Sequence, residues 1–289
     1  MSSVRLSFSR NAAVRPAFGL RLALTGAAAL ALAALGGCAS DEIPYEERAV
    51  EQIYNKAMDH MEEGRYIPAA KEFDEVERQH PYSEWARRSM LMSAYANYQV
   101  NQYDETILNA QRFISLHPGN RDVAYAYYLI GLSYYEQISD VGRDQKMTED
   151  AVNAFTELVR RFPASEYARD ARLKIELALD HLAGKEMEIG RYYLNRHDYI
   201  AAINRFRVVV ERYQTTSHTP EALERLTEAY LALGIQTEAQ TAAAILGYNY
   251  PGSDWYEDSY ALLAGYGLEP VENKDSWISR TWQSVTSVF

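Results

Sequence analysis

A chain of 289 residues with 40 acidic and 29 basic side chains, a formal charge of −11, is long enough for one large or two small domains. That acidity argues against nucleic acid or an anionic membrane surface as the main partner. Cys38 is the only cysteine, which rules out an intramolecular disulfide or a thiolate metal cluster. The first 37 residues contain Arg5, Arg10, Arg15 and Arg21 and no acid, and Leu22 to Leu35 form 14 almost wholly apolar residues. A basic start followed by a short apolar core reads as a secretory signal, too short for a comfortable membrane span.

The segment ends in Leu35-Gly36-Gly37-Cys38, which resembles a bacterial lipobox. The resemblance implies cleavage before Cys38, a lipid on its sulfur and acylation of the new amino terminus. One acyl chain holds a protein weakly, several hold it firmly. Ala39 rather than Asp follows the cysteine, which by the same resemblance favours sorting to the outer membrane. Removing four arginines leaves 25 basic against 40 acidic residues, so the mature chain from Cys38 carries −15. Ala39 to Tyr45 is a polar tether of about 20 Å if extended.

The rest of the chain repeats. Pro81-Tyr82-Ser83, Pro118-Gly119-Asn120, Pro163-Ala164-Ser165 and Pro251-Gly252-Ser253 share one pattern. Proline cannot continue a helix, and Ser or Asn two residues on can cap the next, so each triplet marks a junction between helices. Small residues stand at a fixed place before each proline: Ala69, Thr106, Ala151 and Ala239, with Ala202 in a copy that lacks the proline. The step is 37 residues, with insertions of 8 and 14 in the middle. A period in the mid-thirties with two helices per unit is the signature of a helical repeat array.

Helix pairs are predicted at 46–63 with 66–79, and at 83–100 with 103–116. A third pair starts at Asn120 as a cap, with Gly131 where two helices approach closely. Its second helix carries Ala151, Phe155 and Leu158 beyond the insertion 138–145. A long helical stretch over 165–196, expected to break near Gly184, leads into Ala202, Phe206 and Val209. Thr219 is expected to cap the fifth unit, with Pro220 at the first helical position and Glu221 beside the helix dipole. A closing helix starts at Ser253. No stretch alternates long enough for a strand. The expected fold class is all-α, a superhelix of about five helix pairs. The domains are a signal over 1–37, a tether over 38–45, units one to three over 46–163, units four and five over 164–264, and a tail over 265–289. In the tail Ile278, Trp282, Val285 and Phe289 recur at helical spacing. That stripe docks on a partner, covers the last repeat, or belongs to a partly ordered tail.

No catalytic, cofactor or metal chemistry is legible. His80 and His117 precede repeat prolines and belong to the repeat. There is no HExxH pair, Gly-rich phosphate loop or G-x-S-x-G elbow, so a lipid-anchored hydrolase has no motif to support it. What remains is surface. The first helix of each pair in such arrays lines a concave groove. The register places Tyr54, Met58 and Met61 there in unit one, Leu91, Tyr95 and Tyr98 in unit two, and Tyr125, Tyr128, Leu132 and Tyr135 in unit three. Tyrosine, with 23 copies in the chain, offers rigid amphipathic contact suited to an extended segment. Part of this set is expected to pack between neighbouring repeats instead.

The repeats resemble tetratricopeptide repeats over about residues 50–263. Three stretches carry a narrower likeness: Ala126-Tyr127-Tyr128-Leu129-Ile130-Gly131-Leu132-Ser133-Tyr134-Tyr135; Phe155 to Pro163 with Ser165, Tyr167 and Asp170; and Tyr192-Tyr193 with Asn204-Arg205-Phe206. Together with the lipobox, they make the chain similar to the tetratricopeptide-repeat lipoproteins of the outer-membrane β-barrel assembly machine. The resemblance implies a non-enzymatic scaffold, lipid-anchored on the periplasmic face of the outer membrane. Its amino-terminal repeats would recognise unfolded outer-membrane proteins by a carboxy-terminal signal ending in an aromatic residue. Its carboxy-terminal repeats would hold the periplasmic domains of BamA, beside the accessory BAM lipoproteins. Arg205 matches the family position assigned to the BamA contact, where a bidentate carboxylate would suit arginine. Read without the resemblance, Arg205 is equally a surface ion pair inside its repeat. The alternative with the same fold and anchor is a periplasmic adaptor that recruits peptidoglycan enzymes or proteases.

Overall fold

Three of the four junction triplets cap as their chemistry requires. In the computed structural model, which describes residues 48–286, the Ser83 hydroxyl accepts from Ala86 N at 3.0 Å. Ser165 accepts from Ala168 N at 3.1 Å and Ser253 from Tyr256 N at 3.3 Å. Asn120 does not cap. Its side chain accepts from Asp122 N at 2.8 Å, closing a turn of its own, and the helix begins only at Val123. Thr219 does not cap either. It already lies inside its helix and donates to Tyr213 O at 3.0 Å, so Pro220 stands one position deeper than expected.

Twelve helices and no strand are present among the described residues. They are α1 (Val50–Glu62), α2 (Tyr66–Gln79), α3 (Glu84–Gln99), α4 (Tyr103–Leu116), α5 (Val123–Tyr135), α6 (Lys146–Arg161), α7 (Glu166–Asn195), α8 (Tyr199–Arg212), α9 (Thr219–Ala232), α10 (Gln236–Asn249), α11 (Asp254–Gly265) and α12 (Trp277–Thr286). The first ten form five consecutive pairs, and from α1 to α7 each first helix also packs on the next first helix. That stacking makes a tetratricopeptide-type superhelix. None of these helices is long and apolar enough to cross a membrane. The signal, Cys38 and the tether lie outside the described residues.

The 37-residue step has a packing cause. Ala69, Thr106, Ala151, Ala202 and Ala239 are all fully buried, and Phe73, Phe113, Phe155 and Phe206 are the largest side chains wholly inside. The turn within a pair recurs too. Gly64, Asn101, His197 and Gly234 all adopt left-handed backbone, with φ of 72°, 60°, 62° and 73°. Asn101 and His197 do so despite carrying a side chain, which costs energy that glycine avoids. The third pair lacks such a residue because the insertion replaces the turn. His181 Nε2 donates to Ser139 O at 2.8 Å and Lys185 donates to Gly142 O at 3.0 Å, tying that loop to the middle of α7.

The expected break at Gly184 does not occur. Helix α7 runs unbroken for 30 residues, about 45 Å. A single glycine costs a helix only about 1 kcal/mol, too little to interrupt one packed on both sides. Gly184 serves a close approach instead: a Cβ there would stand 3.2 Å from Nε2 of His218, on the loop before α9. Gly131, Gly190 and Gly247 mark close helix crossings, where a Cβ would collide with the rings of Phe155, Phe206 and Tyr256. Gly190→Val should therefore lower stability by about 3 kcal/mol, the upper end of overpacking costs. Denaturant unfolding reads this directly. An unchanged midpoint would show that α7 and α8 separate without cost.

One acid is buried in the fifth unit. Glu224 on α9 is 3% exposed. Arg225 Nε lies 3.2 Å from it, and the same guanidinium reaches Glu228 at 2.9 Å and Glu221 at 3.7 Å. Burial is the largest influence and outweighs Arg225. With Glu228, Asp258 and Glu221 nearby, it lifts the Glu224 carboxyl from 4.5 to about 7.

The tail closes over units four and five. Ile278 is fully buried, and α12 packs on α8 and α10. Trp277 Nε1 donates to the Tyr230 hydroxyl at 2.9 Å, and the Arg207 guanidinium lies 4.6 Å over the Trp277 ring. Trp282 meets Tyr250 edge-on at 6.4 Å. Phe289 and the side chain of Val285 lie outside the described residues.

Candidate binding surfaces

All six predicted groove tyrosines are half-buried on the first helices. Tyr54 on α1 stands edge-on to Phe73 at 5.5 Å and against Trp85 of the next unit at 4.7 Å. Tyr95 packs into the core cluster around Phe113. Tyr98 donates to Glu136, at the end of α5, at 3.3 Å; burial first, then Glu136, push its phenol up to about 12. Tyr125 and Tyr128 both lie against Tyr167 of α7, at 5.2 and 5.3 Å. The Tyr128 hydroxyl also donates to Asp170 at 2.5 Å. Burial raises both phenols above their ordinary range, helped at Tyr128 by Asp170. Tyr135 meets Phe155 edge-on at 6.2 Å and carries the Lys174 ammonium over its ring at 4.9 Å.

Much of this set thus fastens one unit to the next while one edge of each ring stays open. Those three raised phenols, Tyr98, Tyr125 and Tyr128, are neutral at any physiological pH, so they offer ring surface and hydrogen bonds rather than charge. The inter-unit partners Tyr167 and Asp170 extend this face onto the first turns of α7.

A cleft of about 600 Å³ opens at the start of the same face. The start of α3 supplies Arg87 and Arg88 to its rim and the turn before α5 supplies Arg121, while Tyr54, Leu91 and Tyr125 line its wall. Sequence reasoning missed it, because the arginines stand on two different elements.

Arg205 lies apart from these residues, on α8. It donates to Glu186 of α7 at 3.1 Å, with the arginine side chain 42% exposed. One of its five donor hydrogens serves that bond. Neighbouring Asn204 lines a separate depression with Ile200 and Leu233, two apolar side chains left open to solvent. Among the described residues no group of His, Cys, Asp and Glu is placed to hold a metal ion.

Residues 46–245 match the family described as outer membrane lipoprotein, YfiO. The chain is 54% identical over 255 residues to the outer membrane protein assembly factor BamD of Caulobacter vibrioides, covering 87% of this chain and 84% of that one. It is 46% identical over 233 residues to BamD of Rickettsia prowazekii, covering 80% and 93%. Among solved structures, a thermophilic TPR protein of Thermus thermophilus aligns with 75% of this chain and all of its own, at 17% identity and a TM-score of 0.35.

Proposed function

Since the chain belongs to the BamD family of outer membrane protein assembly factors, we propose that it serves that assembly as a lipid-anchored, non-enzymatic scaffold. Cys38 carries the lipid and keeps the array on the periplasmic face of the outer membrane. The tyrosine face of units one to three receives unfolded β-barrel proteins. The Arg205 region of units four and five holds BamA.

The likeness to the Caulobacter relative, which spans 87% of the chain, carries this reading. Physical features favour the division of labour. Neutral, half-buried tyrosines contact an extended segment without demanding a fixed charge pattern. The Arg205–Glu186 pair is partly exposed, and such pairs contribute about 0–1 kcal/mol, so the guanidinium can exchange Glu186 for a partner carboxylate at little cost. The unbroken α7 joins the two halves.

A pull-down of tagged full chain in detergent tests both parts. BamA should be recovered, and Arg205→Glu should reduce its recovery about tenfold or more, as reversing a charge at a contact does. Undiminished recovery would keep the assembly role and remove Arg205 from the contact. Recovery of cell-wall enzymes or proteases in place of a barrel protein would overturn the scaffold reading.

A further inference from the structure

Among the described residues, α7 is the only helix that packs broadly against both halves of the array. Its Tyr167, Ala171 and Ile175 join the apolar core of unit three, whereas Ala183, Met187 and Leu194 join the core of units four and five. Residues 176–182 between them belong to neither core, and Leu177 there is open to solvent. Gly184 stands just beyond, and glycine weakens a helix through its backbone freedom. Two loops brace this stretch. From the insertion of unit three, Ser139 O accepts from His181 Nε2 at 2.8 Å and Gly142 O from Lys185 at 3.0 Å. From the loop before α9, Ser217 donates to Asp180 through its N–H at 2.9 Å and its hydroxyl at 2.7 Å, with His218 Nε2 3.7 Å from the same carboxylate. Asp180, His181, Gly184 and Lys185 lie on one face of α7. His218 and Val141 meet over the missing Cβ of Gly184. A cavity of about 350 Å³ remains between the loops, lined by Asp140, His181, Glu188 and His218. The bracing contacts are polar and partly exposed, so water replaces them at small net cost.

We propose that the two loops form a clasp that holds α7 straight over a latent hinge at Gly184, and that release of the clasp lets units four and five swing relative to units one to three. The helix carries its weakest residue where support passes from one core to the other, and only discrete polar contacts cover that place. Hinges are built from such low-stability elements. The bend has a consequence for the partner surface. Glu186, which pairs with Arg205, stands two residues beyond Gly184, so bending re-aims that pair with respect to the tyrosine face. This consequence rests on the reading of Arg205 as the BamA contact, whereas the hinge stands on the geometry of α7 alone.

Double electron–electron resonance on the full chain in detergent reads the angle as a distance distribution. Spin-labelled non-natural residues replace Glu105 on α4 and Thr237 on α10, both exposed. The native chain should give one narrow distribution. Asp180→Ala with His181→Ala should broaden it about twofold or more, and Ser217→Ala with His218→Ala, which frees one loop, should broaden it less. Adding Gly184→Ala to the first pair should shrink the bent population about fivefold, the scale of the helix-propensity difference between glycine and alanine. BamA recovery should fall in the clasp variant and return with Gly184→Ala. A distribution that stays narrow without the clasp, or one that Gly184→Ala leaves broad, would overturn the hinge. A broadened distribution with undiminished BamA recovery would overturn the re-aiming of the Arg205–Glu186 pair and leave the hinge standing. If the native chain recovers no BamA, the partner reading falls and the distances alone decide the hinge.

Discussion

Glu224→Gln should raise the melting temperature by about 6 to 12 °C at pH 8 and leave it nearly unchanged at pH 4. The folded chain holds this carboxyl at about 7, against 4.5 in its ordinary state, because burial disfavours the charge more than Arg225 favours it. Between those values the folded protein keeps a proton that the unfolded chain has released, so rising pH favours unfolding. The contribution of the protonated group is complete below 4.5, is lost as the pH climbs to about 7, and changes no further above that. The gap corresponds to about 3 kcal/mol, and that is the stabilisation glutamine should supply once the native carboxyl is ionised. Glutamine keeps the shape of the side chain. Arg225 retains Glu221 and Glu228, so no cation is orphaned by the change. The decisive measurement is the difference in midpoint between variant and native chain from pH 4 to pH 8. A difference independent of pH, or a less stable variant at pH 8, would mean that Arg225 rather than burial governs Glu224.

The legible features of the fold are those set by local chemistry or by repetition. A serine cap is one hydroxyl and one N–H three residues on, so Ser83, Ser165 and Ser253 are readable from the chain. Asn120 and Thr219 have the right side chains but other bonds compete for them, to Asp122 N and to Tyr213 O. Gly184 misleads for a different reason. A propensity argument sees a weak point in a helix, whereas the glycine answers to His218 on a distant loop.

The candidate surfaces divide along the same line. The register alone places six tyrosines on the first helices, because the 37-residue step carries one helix onto the next. It does not reveal that Tyr98, Tyr125 and Tyr128 are fastened to Glu136, Tyr167 and Asp170, since those partners come into reach only when the units stack. The convergence of Arg87, Arg88 and Arg121 is not legible in the chain for the same reason: it depends on α3 and the turn before α5 lying side by side. The Arg205–Glu186 pair matches the surface ion pair that Arg205 suggests when read without the family likeness.

Ile278→Asp should release α12 from units four and five. Ile278 has no exposure to solvent, and an unpaired carboxylate in its place would cost several kcal/mol unless the helix left the surface. Leaving forfeits the Ile278 packing, the Trp277 bond to Tyr230 and the Arg207 contact over Trp277, so the net loss should approach the about 2–5 kcal/mol of a large core truncation. Amide hydrogen exchange locates the effect: protection across α12 should collapse, with a smaller loss in α8 and α10, while units one to three keep theirs. Ile278→Val should retain the protection. The consequence for binding follows from geometry. Arg205 and Arg207 are two residues apart on α8, about 200° around the helix, so one faces α7 and the other is held beneath α12. A released tail leaves the Arg205–Glu186 pair intact but unsupported from behind. BamA recovery should then fall partly in Ile278→Asp, and less than in Arg205→Glu. Full protection of α12 in the Asp variant would mean that other contacts hold the tail. A collapse of protection with undiminished BamA recovery would mean that α8 keeps its position without a brace.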